Sequence, residues 1–187
     1  VVRLIIVDHF LQDERAFKAI SSSPFWRDPA YYWHSMSDLD NGIGSYIVKQ
    51  ILEKQRIREE FPFERAVGFE YWPTVLSEDD DIIDIGEDGD LYSLDIHVDK
   101  DENLARATDE YVYPLFGAIL YFLDLPIEGG NLKIWKDKNT YQIVEPADNR
   151  LVVFDSSKPH GVLAVKKGLR KSIAINFWEN QPHLEEL

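Results

Sequence analysis

From residue 65 onward the chain falls into about eight short apolar runs parted by Gly, Pro, Asn and Asp, the pattern of strands joined by turns. The runs cover residues 65–72, 91–99, 115–123, 131–135, 140–144, 150–154, 161–165 and 171–178. So many short strands close together must cover one another's faces, which directs the chain toward two packed sheets. No internal repeat or heptad competes with that pattern.

The helical signals sit upstream. An apolar run broken by Asp8 and His9 opens the chain, and Asp13 is placed to cap a helix running to about Ser21 with Phe17 and Ile20 inward. A longer helix is expected over residues 44–60, with Ile47, Ile51 and Leu52 on one face and Lys49, Glu53, Lys54 and Arg56 on the other. Pro62 closes it. Between the helices, Phe25, Trp26, Tyr31, Tyr32 and Trp33 either line a substrate groove or pack helix against sheet. The expectation is one domain over residues 1–187, with 1–62 as strand-plus-helix support and 63–187 as the core. Its class is mostly β with supporting helices, built on a double-stranded β-helix or jelly roll of the cupin-like kind, whose mouth holds a metal and a ligand.

Residues two apart on a strand share a face, so His97 and Asp99 in His97-Val98-Asp99 point the same way while Ile96 and Val98 pack behind them. Two imidazoles and one carboxylate are a ligand set that leaves several positions on a ferrous ion open, and His160, in Pro159-His160-Gly161, is the candidate for the second imidazole. The last run repeats the geometry. Arg170, Ser172, Ala174 and Asn176 form one face, and Ile173, Ile175 and Phe177 the other. Small and polar groups on one face of an apolar strand suggest a lined cavity, in which Arg170 offers a planar fork for a carboxylate and Ser172 a hydroxyl beside it.

With the hairpin Gly129-Gly130-Asn131-Leu132 and the run Arg150 to Asp155 before His160, the ordered set His97-x-Asp99, His160, Arg170-x-Ser172 resembles the iron(II)- and 2-oxoglutarate-dependent dioxygenases, in particular the prolyl-4-hydroxylase-like branch. The resemblance implies that His97, Asp99 and His160 ligate Fe(II), and that Arg170 with Ser172 binds the distal carboxylate of 2-oxoglutarate. It implies an O2-dependent hydroxylase releasing succinate and CO2, acting on a small-molecule or peptidyl acceptor, prolyl or another amino-acid residue. Tyr71 stands where a co-substrate-contacting tyrosine is common, with a place in the core as the alternative. The tyrosine often found in the strand before the Gly-Gly hairpin is matched by Phe122, and Tyr121 beside it is expected to face away. Two other classes stay open: a cupin-type metalloenzyme that uses no 2-oxoglutarate, and a catalytically silent jelly-roll binding module.

A net charge of −14 argues against a nucleic-acid partner, because phosphate binding relies on clustered Lys and Arg. Cysteine is absent, so neither disulfides nor thiolate chemistry enters. The opening apolar run is too short for a membrane span, and the availability of ferrous iron and 2-oxoglutarate makes a cytoplasmic location the simpler expectation. Residues 77–90 carry a run of Asp and Glu with Gly86 and Gly89, read as a flexible acidic loop without the spacing of a calcium loop. Residues 100–114 directly follow Asp99 and are placed to form a lid.

Overall fold

The computed structural model describes residues 3–28, 30–80, 84–86 and 88–183. Two antiparallel sheets face one another. The major sheet runs β1 (Leu4–Val7), β9 (Leu151–Phe154), β6 (Phe116–Gly129), β11 (Val165–Trp178), β3 (Gly68–Ser77) and β2 (Tyr32–Ser35) in spatial order. The minor sheet runs β4 (Asp84–Ile85), β5 (Leu91–His97), β10 (His160–Leu163), β7 (Leu132–Asp137) and β8 (Thr140–Val144). This is the expected mostly β jelly roll. The strands β1 and β2 come from the first 62 residues yet belong to the major sheet, so the support segment contributes to both of its edges.

Alternation on the major sheet sorts side chains between two cores. Leu120, Phe122, Leu151, Val153, Ile173, Ile175 and Phe177 meet the helices, and Ile119, Tyr121, Leu123, Val152 and Phe154 meet Leu132, Ile134 and Val144 of the minor sheet. The central strands β6 and β9 therefore carry apolar side chains on both faces and read as nearly continuous apolar runs, whereas β11 turns Arg170, Ser172 and Asn176 to the side away from the helices.

The helices are α1 (Glu14–Ser21), α2 (Ile43–Leu52), α3 (Gln55–Glu60) and α4 (Glu102–Thr108). Asp13 caps α1 as expected, its carboxylate accepting from the backbone N–H of Arg15 and Ala16 at 2.9 and 3.2 Å. The single helix expected over 44–60 is instead two. Ile51 and Ile57 are both fully buried. On an unbroken helix, six residues rotate the chain by roughly 240° and would carry Ile57 away from the face of Ile51. The extended backbone at Lys54 (φ −84°, ψ 99°) resets the phase.

Part of the acidic segment is anchored. Lys133, 1% exposed on β7, donates to Asp88 at 2.6 Å and Asp90 at 2.7 Å, and its ammonium lies 4.6 Å from the Trp135 ring centre and 4.1 Å from that of Tyr141. The Tyr92 hydroxyl adds a bond to Asp88 at 2.9 Å. Burial acts to lower the Lys133 pKa, but the two carboxylates prevail and raise it; the same bond holds Asp88 below its ordinary value. The expected flexible loop is thus tied at residues 88–90 to the sheet whose next strand leads to His97, while Asp81 and Glu87 lie outside the described residues.

Candidate metal centre

Strand pairing closes the gap of more than sixty residues between the two histidines. The strands β5 and β10 are antiparallel neighbours with His97 directly opposite His160, and their ring centres are 4.4 Å apart. Asp99 lies just past the end of β5 rather than within it, its backbone N–H bonded to the Ser156 carbonyl at 3.1 Å. That bond directs its carboxylate between the imidazoles, 3.6 Å from His97 Nε2 and 3.8 Å from His160 Nε2. The donor atoms of the three residues all lie within 4.8 Å of one another, the sole such group of potential metal ligands among the described residues.

The tautomers suit a metal. His97 Nδ1 is 2.8 Å from the Asp95 carbonyl and His160 Nδ1 is 2.8 Å from the Lys158 carbonyl. A carbonyl only accepts, so each Nδ1 carries the proton and each Nε2 presents its lone pair inward. Burial lowers the pKa of His160 against the opposing pull of Asp99, which favours the neutral, ligating ring. The donor set therefore fits a divalent ion.

A cavity of about 580 Å³ opens beside this group, and Arg170, Ser172, Ala174 and Asn176 of β11 all line it. Arg170 is 1% exposed. Its Nε donates to the Gly130 carbonyl at 3.0 Å, one terminal nitrogen to Ser172 Oγ at 3.0 Å, and the other to the Tyr121 hydroxyl at 3.4 Å, with the guanidinium 4.9 Å from the Tyr121 ring centre. A guanidinium has five N–H groups, so one remains on each terminal nitrogen, the pair that a carboxylate accepts end-on.

Two tyrosine expectations are corrected. Tyr121 faces Arg170 rather than away from it, because it sits directly opposite Ser172 in the β6–β11 ladder and directly opposed residues share a face. Phe122 is the residue that points to the helices, stacked on Phe17 with ring centres 4.9 Å apart. Tyr71 does not reach the cavity. It lies on the helix face of β3 among Phe25, Tyr32 and Phe69, so close to Gly44 of α2 that a Cβ there would stand 2.3 Å from its ring. Its neighbours Glu70 and Trp72 take the cavity side.

Glu70 is not among the candidates that the sequence motifs mark, although a carboxylate in an apolar strand is a visible signal. Burial, against partial relief from Asn176, pushes its carboxyl up to about 7. Asn176 donates to Glu70 at 3.4 Å and accepts from Ser156 Oγ at 3.2 Å. The buried indole N–H of Trp178 also favours the charged form, although it makes no hydrogen bond by geometry. Gly117 permits this close approach, since a Cβ there would stand 2.8 Å from that of Ser156. The segment expected to form a lid contains α4, capped by Asp101, which bonds the Leu104 N–H at 2.9 Å and His183 Nδ1 at 2.8 Å; Lys100 and Glu102 reach the cavity.

Residues 87–178, spanning both imidazoles, Asp99 and Arg170, match the model of the 2OG-Fe(II) oxygenase superfamily. The chain belongs to that superfamily. As one of its dioxygenases, this protein works with Fe(II), 2-oxoglutarate and O2. Solved structures agree at the level of fold. A prolyl-4-hydroxylase of Pseudomonas putida is 19% identical with a TM-score of 0.61, over 95% of this chain and 88% of that one. An oxidoreductase of the 2OG-Fe(II) oxygenase family from Burkholderia pseudomallei is 12% identical with a TM-score of 0.57, over 98% and 89%. None of the curated proteins matches the oxygenase by sequence. No helix among the described residues is long and apolar enough to cross a membrane.

Proposed function

We propose that this oxygenase hydroxylates an aliphatic C–H of an amino-acid acceptor, free or peptidyl, with His97, Asp99 and His160 as the iron ligands and Arg170 as the anchor for 2-oxoglutarate. The observation that carries this reading is the convergence of the three donors in one cavity with a buried guanidinium that keeps two N–H groups free. Bound there, Fe(II) supplies the redox chemistry by which one atom of O2 enters the acceptor and the other enters succinate as 2-oxoglutarate loses CO2.

The residues of the chain have separate tasks. The Asp95 and Lys158 carbonyls hold the imidazole tautomers, the Ser156 carbonyl aims Asp99, and Arg170 with Ser172 orients the co-substrate. Tyr121 fixes the guanidinium from behind. The buried apolar walls from Leu132, Phe154 and Val162 limit water at the reacting end. Likeness of fold to a prolyl-4-hydroxylase makes a prolyl residue the first acceptor to try. The cytoplasm, where the co-substrates are at hand, is the compartment this chemistry favours.

The test is succinate formation from 2-oxoglutarate with added Fe(II), together with Mn(II) binding by His97→Ala and Asp99→Ala. Both variants are expected to lose metal binding and turnover while melting within a few degrees of the parent, since neither side chain supports the core. A His97→Ala protein that binds Mn(II) as the parent does and still makes succinate would overturn the assignment.

A further inference from the structure

The acceptor end of the cavity carries a carboxyl group, that of Glu70, which no cation in the rest of the site matches. With the proposed ligands bound, the two positive charges of Fe(II) and the one of Arg170 are balanced by Asp99 and by the two carboxylates of 2-oxoglutarate. Lys100 stands 3.6 Å from Glu102 and 5.4 Å from the Tyr111 ring centre, so those two lining charges answer each other. Glu70 and Asp95 have no such partner, and of the two Asp95 is exposed to water while Glu70 is half-buried. Glu70 is held by Asn176, a neutral amide, and no cation pairs with it among the described residues.

The walls beside Glu70 are aromatic. Tyr31 and Trp72 line the cavity with ring centres 4.9 Å apart, and much of Tyr31 faces solvent at 69% exposure. Partial burial of its hydroxyl and the negative charges of Glu70, Asp99 and Glu102 raise its pKa, in keeping with its place in the lining. An electron-rich pair of rings next to an uncompensated carboxylate is the surround in which an organic cation is favoured over water, because ring quadrupole and carboxylate attract the same charge. A neutral acceptor would leave Glu70 its proton, an organic cation would draw it into the charged form and pair with it, and an acidic acceptor would meet Glu102 and the ionised fraction of Glu70.

We propose that the acceptor is cationic, an alkylammonium such as that of lysine, and that Glu70 selects it with Tyr31 and Trp72 as the flanking wall. This rests on the iron and 2-oxoglutarate reading above and narrows its acceptor from amino-acid compounds in general to basic ones. Glu70 is held by Asn176, whose other end bonds Ser156, the residue whose carbonyl aims Asp99. The carboxylate is therefore fixed relative to the metal ligands, and a bound ammonium would fix the carbon chain behind it in the same frame.

The test is calorimetric binding to protein loaded with Mn(II) and 2-oxoglutarate, without oxygen, so that it does not depend on turnover. The probes are N-acetyl-lysine amide, its neutral Nε-acetylated counterpart, free lysine and N-acetyl-proline amide. Both lysine probes with a free ammonium are expected to bind at least about tenfold tighter than the neutral ones. That preference is expected to vanish in Glu70→Gln and to persist in Glu70→Asp, while Trp72→Leu weakens it in part. Free lysine against the amide then separates a metabolite from a peptidyl acceptor. Equal binding of charged and neutral probes, or a preference untouched in Glu70→Gln, would overturn the proposal. Failure of the parent protein to bind 2-oxoglutarate would instead sink the reading beneath it, and the two results are distinguishable.

Discussion

Arg170→Lys keeps a positive charge within β11 and removes the fork, so it isolates what the guanidinium geometry contributes. Of the five N–H groups, three are taken by Gly130, Ser172 and Tyr121, and the remaining two, one on each terminal nitrogen, are left for the carboxylate of the proposed co-substrate. An ammonium has three donors and cannot satisfy these neighbours while also meeting a carboxylate twice. A charge-assisted hydrogen bond is worth about 1.5–3 kcal/mol, so losing one of the pair while keeping the charge costs about 2 kcal/mol, or roughly thirtyfold in 2-oxoglutarate affinity. Arg170→Leu removes both bonds and the charge, and about 4 kcal/mol, nearly a thousandfold, is expected. The assay is anaerobic calorimetry of 2-oxoglutarate against Mn(II)-loaded protein, with Mn(II) affinity measured separately to show that the metal ligands are intact. The refuting outcome is specific: Arg170→Lys binding 2-oxoglutarate within about threefold of the parent, with its metal site unchanged, would place the anion elsewhere.

Two further outcomes concern the fold around the site. Lys133→Met keeps the packing against Trp135 and Tyr141 but strands Asp88 and Asp90, whose side chains are 28% and 49% exposed and so regain part of their hydration. A loss of about 2 kcal/mol, near 5 °C in Tm, is expected at pH 7 by calorimetric or urea unfolding. Because the Asp88 pKa is depressed in the folded state, the contribution is present above the ordinary carboxylate pKa and lost as pH falls through the folded value; an equal gap at pH 2.5 and pH 7 would contradict the assignment. Glu70 acts in the opposite sense. Its folded pKa of about 7 exceeds its ordinary 4.5, so the folded protein holds a proton that the unfolded chain has released, and stability falls as pH rises between those values. The decline has a ceiling of about 3 kcal/mol, and Glu70→Gln in metal-free protein should show an unfolding midpoint free of it; parallel pH profiles for parent and variant would refute the shift.

The face of β11 that carries Arg170, Ser172 and Asn176 is legible in the sequence alone, because polar and small residues there alternate with Ile173, Ile175 and Phe177. The tyrosine partner of Arg170 is not. In Leu120-Tyr121-Phe122-Leu123 both faces are apolar, so local pattern cannot say which aromatic turns inward, and the pairing of Tyr121 with Ser172 decides it. The same ambiguity misdirected Tyr71, whose parity is set by the ladder of β3 with β11 and by the proximity of Gly44. The break between α2 and α3 had no Gly or Pro to announce it. It follows from the need of Ile51 and Ile57 to reach one core.

By itself the amino-acid order determined the candidates for the proposed chemistry: the His97-x-Asp99 pair, a later histidine, and a guanidinium on a strand face otherwise small or apolar. Each is a property of local spacing, written within a few residues of itself. Tertiary structure alone decided what meets what. The opposition of His160 to His97, the turn of Tyr121 toward Arg170, the placing of Glu70 beside Tyr31 and Trp72, and the capture of the acidic loop by Lys133 all join residues far apart in the chain. Such contacts depend on strand register, and register is a collective result of packing both faces of a sheet rather than a property of any single strand.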